Sequence, residues 1–115
     1  MDALDQVAAL KSVFPNVSAT EVGEVTVYVI ENICLPEGAE PKVVTGLLWP
    51  RDRDGYPSRL YLSQKVVHKG KGQNWNPKES VNLLGRVWWA VSWKLARPEQ
   101  TLLEMTLGHL EAFRA

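Results

Sequence analysis

The segments Gly72-Gln-Asn-Trp-Asn-Pro-Lys78 and Gly85-Arg-Val-Trp-Trp-Ala-Val-Ser-Trp93 divide the chain into two parts of different character. Four of the five tryptophans fall within them, together with asparagine, serine and proline. Before them the sequence has the pattern of β-strands, and after them a single helical pattern follows. We therefore expect any functional site to lie within residues 72–98.

Length and composition favour one domain over residues 1–115. With 115 residues, of which 45% are hydrophobic and 23% charged, the chain is long enough to bury a core. Thirteen basic and thirteen acidic side chains give a net charge of zero, which argues against electrostatic attraction to nucleic acid or to an anionic membrane. No apolar run approaches the ~20 residues that span a bilayer, so no membrane segment is expected.

The cysteine content and the N-terminal residues indicate a cytoplasmic protein. Cys34 is the only cysteine and cannot form an internal disulfide. The first residues, Met1-Asp-Ala-Leu-Asp5, lack the basic and then apolar order of a signal peptide. Apolar residues flank the cysteine in Asn32-Ile-Cys-Leu-Pro36, so we expect a buried, unreactive thiol rather than a nucleophile.

The hydrophobic pattern of the first half predicts one helix and three strands. Apolar residues recur at intervals of three and four up to Phe14, and Pro15-Asn16 ends the helix. β-Branched residues then dominate, interrupted by turns that contain proline and glycine. The predicted elements are a helix over 2–14 and strands over 22–34, 42–49 and 60–67, with turns over 35–41 and 50–57.

The second half is less regular until its last element. The glycine-rich, basic segment 68–73 is predicted to be a solvated loop, residues 80–84 a helical turn, and residues 86–93 a short strand or an extended cover. A C-terminal helix is predicted from Pro98, with Glu99 near its positive end, Arg114 near its negative end, and one broad apolar face that includes Leu107. The order predicts an α+β fold, an antiparallel β-meander of three to four strands flanked by an N-terminal and a C-terminal helix.

Short motifs around the predicted turns carry a family resemblance. They are Leu35-Pro-Glu-Gly38, Leu47-Leu-Trp-Pro50, Gly55-Tyr-Pro57, Trp93, Pro98 and Thr101-Leu102. Together they resemble the ubiquitin-conjugating (E2, UBC) fold, and more narrowly the small bacterial E2-like families. In E2 proteins a Tyr-Pro turn precedes a strand, and a tryptophan and a proline introduce the helix after the active site. The resemblance implies a single UBC-like domain over residues 1–115.

The resemblance also implies an E2-like protein of a bacterial ubiquitin-like conjugation system, whose partners are a ubiquitin-like protein and an E1-like activating enzyme. In the E2 family the nucleophile is a cysteine several residues before the tryptophan, and an asparagine earlier in the chain supports the oxyanion. This chain has no cysteine between residues 85 and 89, where that nucleophile would lie. Asn74 or Asn76 is the nearest counterpart of the asparagine. We therefore expect a non-catalytic or atypical member.

Ser92 is the candidate nucleophile of an atypical member, because it directly precedes Trp93 in the expected region. A serine accepts an acyl group as an oxyester if a base removes its proton. The sequence offers His68 and His109 as bases, and Asn76 is the candidate amide donor. The protein is an enzyme only if such a nucleophile is used.

Aromatic side chains are the candidate binding residues. They are Trp75, Trp88, Trp89, Trp93 and Tyr56. Two interpretations stay open: the tryptophans close one end of the sheet as core residues, or some are exposed and anchor a partner protein. No cofactor or metal is expected, because the chain has one cysteine, two histidines 41 residues apart, and no Cys-x-x-Cys or His-Glu-x-x-His pairing. Asp52 and Asp54 are interpreted as a charged turn paired with Arg51 and Arg53.

Two functions outside ubiquitin-like chemistry remain alternatives. The first is a small α+β interaction adaptor whose tryptophan surface docks a larger protein. The second is binding of single-stranded nucleic acid, since Trp75 stands near Lys69, Lys71 and Lys78. The net charge of zero argues against the second, so no nucleic-acid partner is expected.

Overall fold

A helix, a series of short strands and a second helix follow one another along the chain. The structure is a computed structural model that describes residues 3–93 and 101–113. The helices are α1 (Ala3–Val13) and α2 (Leu102–Leu110), and a 3-10 turn (Glu111–Phe113) follows α2. The strands are β1 (Val17–Val22), β2 (Val25–Cys34), β3 (Ala39–Glu40), β4 (Val43–Trp49), β5 (Arg59–Leu62), β6 (Val67–His68), β7 (Lys71–Gly72), β8 (Val81–Leu83) and β9 (Arg86–Ala90).

Six of these strands form one antiparallel sheet in the order β1-β2-β4-β5-β9-β8. The first four make the meander, and β9 joins the far side of β5, where Tyr61 pairs with Ala90 and Leu62 with Trp89. The predicted α+β class, an antiparallel sheet with an N-terminal and a C-terminal helix, is confirmed. The main sheet nevertheless has six strands among the described residues, more than the predicted three to four.

The predicted long strand over 22–34 is wrong at its start. Residues 17–22 form β1, which turns back at Gly23 and pairs with β2, so that Val22 lies opposite Val25. Gly23 has a φ of +61°, which suits the turn because glycine adopts this conformation without steric cost. Valines lie on both sides of Gly23, and the prediction therefore ran the strand through the turn from residue 22 and missed β1.

An irregularity in β2 changes which side chains face the core. The pairing of β2 with β4 shifts register between Ile30 and Ile33, and Asn32 within the shift has a φ of +57°. The bulge breaks the strict alternation of faces, so Ile30 and Ile33 are both fully buried. Cys34 then lies on the other side of the strand and is exposed, which corrects the prediction of a buried thiol.

A second, three-stranded sheet is formed by β3, β6 and β7. His68 of β6 pairs with Lys71 of β7 in a hairpin, so the segment 68–73 is not the simple loop that was predicted. The predicted strand over 60–67 is also divided, because β5 ends at Leu62 and Val67 belongs to this second sheet. Hydrophobic residues on both sides of the break concealed it.

Residues 80–84 do not form the predicted helical turn. Val81–Leu83 is β8, which pairs with β9 through a two-residue turn at Leu84-Gly85. Both turn residues have positive φ, 55° and 70°, as a type I′ hairpin requires. Of the two alternatives for residues 86–93, the short strand applies to Arg86–Ala90, which form β9.

Both predicted helices are present among the described residues. The N–H of Phe14 still donates to the carbonyl of Leu10 at the end of α1. Thr101 caps α2 through a capping box with Glu104. Leu107 is 43% exposed, although the apolar pattern placed it on the buried face, and Pro98, Glu99 and Arg114 lie outside the described residues. No helix in the described part of the chain is long and apolar enough to cross a membrane.

Alternate strand residues pack into two cores on opposite faces of the sheet. The core that the helices cover includes Leu10, Phe14, Tyr28, Ile30, Leu48, Leu60, Leu110 and Phe113. The opposite core contains Val27, Leu47, Trp49, Tyr61, Leu83, Trp88 and Ala90. β5 is buried on both faces, and its first residue, Arg59, therefore enters the interior.

Candidate functional site

A tight turn orients Tyr56. Arg53 and Tyr56 exchange two backbone hydrogen bonds of 2.9 Å across Asp54-Gly55. The two central residues have φ values of 55° and 85°, the type I′ geometry for which Asp-Gly is preferred. The Asp54 carboxylate lies 3.8 Å from Nε of Arg53, in agreement with the predicted charged turn.

Two extended segments bring Asn76 and Ser92 together. The N–H of Ser92 donates to the carbonyl of Asn74 at 2.6 Å, and the N–H of Asn76 donates to the carbonyl of Ala90 at 2.9 Å. A single antiparallel bridge lies between these two bonds. Residues distant in the sequence thus become neighbours through backbone pairing.

The buried guanidinium of Arg59 connects these segments to the turn. Arg59 is 1% exposed, and its Nη2 donates to the carbonyls of Asn76 (2.6 Å) and Val91 (3.2 Å). Its Nη1 donates to Oδ2 of Asp54 at 3.2 Å, and the guanidinium carbon lies 4.1 Å from the centre of the Tyr56 ring. The fixed fork of donors allows one arginine to hold three chain segments.

Tyr56, Ser92 and Asn76 form one hydrogen-bonded cluster, called here the Ser92 cluster. The Tyr56 hydroxyl lies 2.8 Å from Oγ of Ser92 and accepts a hydrogen bond from Nδ2 of Asn76 at 3.0 Å. Ser92 and Asn76 are exposed, and Tyr56 is half-buried. Three predicted site residues therefore meet at one place. In this arrangement the Asn76 amide supports the tyrosine, a contact different from the expected donation to an oxyanion.

The surroundings of Tyr56 lower its pKa from the ordinary value of 10.0. The hydrogen bond with Ser92 contributes most, followed by the one with Asn76, and the positive charge of Arg59 acts in the same direction. Partial burial and the Asp54 carboxylate oppose these effects without outweighing them. The phenolate form is therefore more accessible than in a free tyrosine.

An open cleft of about 570 Å³ adjoins Ser92. It is lined by Lys65, Gln73, Asn74, Trp75, Asn76, Lys78 and Ser92. The lining, all of it within the described residues, combines two ammonium groups, three amides and an indole ring, and it contains no carboxylate. The cleft is therefore positive although the whole chain is neutral. Ammonium groups attract carboxylates, and side-chain amides can pair with an extended peptide backbone.

The predicted binding tryptophans do not share one role. Trp75 is half-buried and forms a wall of the cleft. Trp89 is also half-buried, and the centre of its ring lies 4.5 Å from Nζ of Lys65. Because Lys65 lines the cleft, Trp89 contacts the cleft through this lysine. Trp93 donates from Nε1 to the carbonyl of Gly108 at 3.0 Å and is thereby anchored to α2.

Trp88 belongs to the core, and its prediction as a binding residue is corrected. It is fully buried, and its Nε1 donates to the carbonyl of Leu83 at 2.9 Å. Alternation along β9 turns Trp88 and Ala90 towards the core opposite the helices. Of the two interpretations left open for the tryptophans, core packing applies to Trp88, and partial exposure applies to Trp75 and Trp89.

His109 does not serve as the base for Ser92 in this structure. It is buried, and its Nε2 lies 2.9 Å from Oγ of Ser58. Burial, and to a lesser extent the charge of Arg59, lowers the pKa of His109 to about 4. The histidine therefore stays neutral at pH 7 and links α2 to Ser58, the residue before β5, while the hydroxyl partner of Ser92 is Tyr56.

The remaining candidate residues lie elsewhere. His68, the other candidate base, is a buried residue of β6 in the second sheet, with Nε2 3.1 Å from the carbonyl of Glu37. Cys34 lines a separate groove of about 350 Å³ beside Leu107. Within residues 3–93 and 101–113, no group of three or more His, Cys, Asp and Glu side chains is placed to hold a metal ion.

Sequence reasoning missed Arg59 and Lys65 as parts of the site. Arginine is seldom buried, so its position at the start of a strand reads as exposed. The signal that could have located Arg59 is the continuous hydrophobic run that follows it, which is typical of a strand buried on both faces. Lys65 joins Lys78 only through the folded chain. Comparison of the chain with protein-family models, curated proteins and solved structures found no match.

Proposed function

We propose that the protein is an E2-like component of a bacterial ubiquitin-like conjugation system and that its α+β fold is UBC-like. The order of an N-terminal helix, an antiparallel meander, an aromatic segment and a C-terminal helix supports this proposal. Ser92 follows β9 and precedes α2, and the resemblance to the E2 family leads us to expect the active site in this part of the chain. The β8–β9 hairpin and the second sheet are additions to the expected meander.

The cleft beside Ser92 is the observation that carries the proposal. Lys65 and Lys78 supply positive charge for a terminal carboxyl group, and the amides of Asn74 and Asn76 can pair with an extended backbone. Trp75 offers an apolar wall for the side chains of the ligand. The proposed occupant is the C-terminal tail of a ubiquitin-like protein, delivered by an E1-like activating enzyme.

The arrangement of neighbouring genes is the first test. A conjugation component is expected beside genes for a ubiquitin-like protein and an E1-like enzyme. An interaction adaptor unrelated to ubiquitin-like chemistry has no reason to be encoded there. The absence of both genes from every genomic neighbourhood of this protein would contradict the proposal and favour the adaptor.

Binding is the second test, with the neighbouring ubiquitin-like protein as the ligand. Lys65→Ala and Lys78→Ala are each expected to weaken binding up to about fivefold, since an exposed ion pair contributes up to ~1 kcal/mol. Lys11→Ala is the matched control, because Lys11 is exposed on α1 and does not line the cleft. Calorimetry with a ubiquitin-like protein lacking its C-terminal tail is expected to detect no binding. Undiminished binding without the tail would contradict the role assigned to the cleft.

A further inference from the structure

We propose that Tyr56 is the base that activates Ser92, and that Ser92 is the acyl acceptor of the cleft. The inference rests on the proposed function, in which an activated acyl group reaches this cleft. The 2.8 Å contact between the Tyr56 hydroxyl and Oγ of Ser92 is short enough for direct proton transfer. Ser92 is exposed and lines the cleft, so an acyl carbon can approach its oxygen from solvent.

The contacts of Tyr56 favour its deprotonated form. A phenolate oxygen can accept hydrogen bonds from both Nδ2 of Asn76 and Oγ of Ser92, which are already 3.0 and 2.8 Å away. The Arg59 guanidinium lies against the ring and adds positive charge. The same contacts lower the pKa of the Tyr56 hydroxyl group. Asn76 and Arg59 are therefore positioning residues, and Tyr56 and Ser92 handle the reacting atoms.

The acyl donor is a thioester, and the step is an acyl transfer. Oγ of Ser92 forms a bond to the acyl carbon, and its proton passes to the phenolate oxygen of Tyr56. The carbon–sulfur bond breaks and the thiolate leaves with the electron pair. Tyr56 then returns the proton to the thiolate, so the products are a serine oxyester and a free thiol. No oxidant, metal or nucleotide enters this step.

The probe is N-acetylglycyl benzyl thioester, and intact-protein mass spectrometry measures the adduct. All variants carry Cys34→Ala, because the exposed thiol would exchange with the probe. An adduct that resists thiols but is cleaved by hydroxide is expected. Ser92→Ala should abolish it, whereas Ser18→Ala, which removes an exposed hydroxyl on β1, should leave it unchanged. An oxyester of undiminished yield in Ser92→Ala would overturn the proposal.

The role of Tyr56 is tested by the rate of acylation and its pH dependence. Tyr56→Phe is expected to slow the reaction about 100-fold, the effect of removing a general base. The acylation rate of the parent protein, which carries only Cys34→Ala, should rise with pH up to the pKa of Tyr56. The Tyr56→Phe variant should lack this rise. The charges that act on the tyrosine, Arg59 and Asp54, and the lysines that line the cleft beside Ser92 are present in both proteins and do not account for the difference.

Asn76→Asp provides a second variant that does not remove the tyrosine. A carboxylate in place of the amide disfavours the phenolate, so the rise in rate should move to higher pH. An unchanged profile in this variant, or acylation of Tyr56→Phe at the parent rate, would overturn the proposal. Failure of the ubiquitin-like tail to bind, with Tyr56-dependent acylation intact, would instead overturn only the proposed function.

Discussion

Nη2 of Arg59 donates to the backbone carbonyl of Asn76 at 2.6 Å, which places a buried cation directly under an exposed site residue. The bond joins the first residue of β5 to a segment that has no regular partner strand. Asn76 in turn donates to Tyr56, so the position of the Ser92 cluster depends on a side chain that is itself inaccessible to solvent. Stability and site geometry are thereby coupled.

Replacement of Arg59 is expected to destabilise the protein and to disorder the cluster. Arg59→Met leaves the carbonyls of Asn76 and Val91 without a donor and should cost about 3 kcal/mol of unfolding free energy. Chemical denaturation followed by tryptophan fluorescence measures this loss. Arg51→Met is the control, because Arg51 is exposed, and a change within about 0.5 kcal/mol is expected. Equal stability of the two variants would contradict the role of Arg59 as a buried link.

Trp88 and Trp89 are expected to respond differently to substitution. Trp88→Phe removes part of a fully buried ring and the donor to the Leu83 carbonyl, and should cost about 2 kcal/mol. Trp89→Phe changes a half-buried ring and should cost less than about 1 kcal/mol. Thermal unfolding of both variants, with matched far-UV spectra, makes the comparison. A larger loss in Trp89→Phe would mean that the two side chains have exchanged faces.

Gly46 in β4 is expected to accept a side chain only at a cost in stability. A Cβ atom there would lie 2.6 Å from Cδ1 of Ile33 and 3.1 Å from Cδ1 of Leu60, both in the core. Gly46→Ala should therefore overpack the core and cost about 1–2 kcal/mol of unfolding free energy in urea denaturation. Gly72→Ala is the matched control, since nothing lies within 4 Å of the added atom. A neutral Gly46→Ala would show that the two strands do not pack as closely as described.

The neutral His109 is expected to make stability dependent on acid. Its folded-state pKa of about 4 lies below the ordinary 6.5, so between these values the unfolded chain binds a proton that the folded chain does not. Protonation of His109 therefore does not reduce the free energy of unfolding above pH 6.5. As the pH falls from 6.5 towards 4, this free energy decreases by about 3 kcal/mol in total. His109→Gln should lose correspondingly less stability between pH 7 and pH 4.5 in urea titrations. Equal losses in both proteins would contradict a neutral, buried histidine.

Much of the fold followed from periodicity. The three-and-four spacing predicted both helices, and β-branched runs bounded by proline and glycine predicted β4 and most of β2. The missed elements include the short hairpins that turn at Gly23, Gly70 and Gly85, where one glycine with positive φ lies between strands of few residues. Leu84-Gly85 joins two strands in only two residues, and the valine run conceals the turn at Gly23. A short hairpin depends on the φ values of its turn residues, and the type of a single residue does not determine its φ value.

The sequence predicted which residues belong to the candidate site, but it did not predict which of them contact one another. Ser92, Asn76 and Tyr56 were named from the sequence, yet their contact with one another depends on the pairing of residues 74–76 with residues 90–92. Histidine was expected as the base because its pKa is closest to neutral pH, but both histidines are buried in structural hydrogen bonds. The burial of Trp88 depends on which face of β9 turns inward.

The sequence by itself determined the α+β class and the order of the two helices and the meander, and it singled out the aromatic segment as the place of the candidate site. These properties depend on local periodicity and turn chemistry, which act over a few residues. Only the tertiary structure decided that Tyr56 meets Ser92, that Arg59 is buried beneath them, and that Cys34 is exposed. These outcomes depend on strand register and on one bulge, because a shift of one residue reverses the face of every side chain that follows.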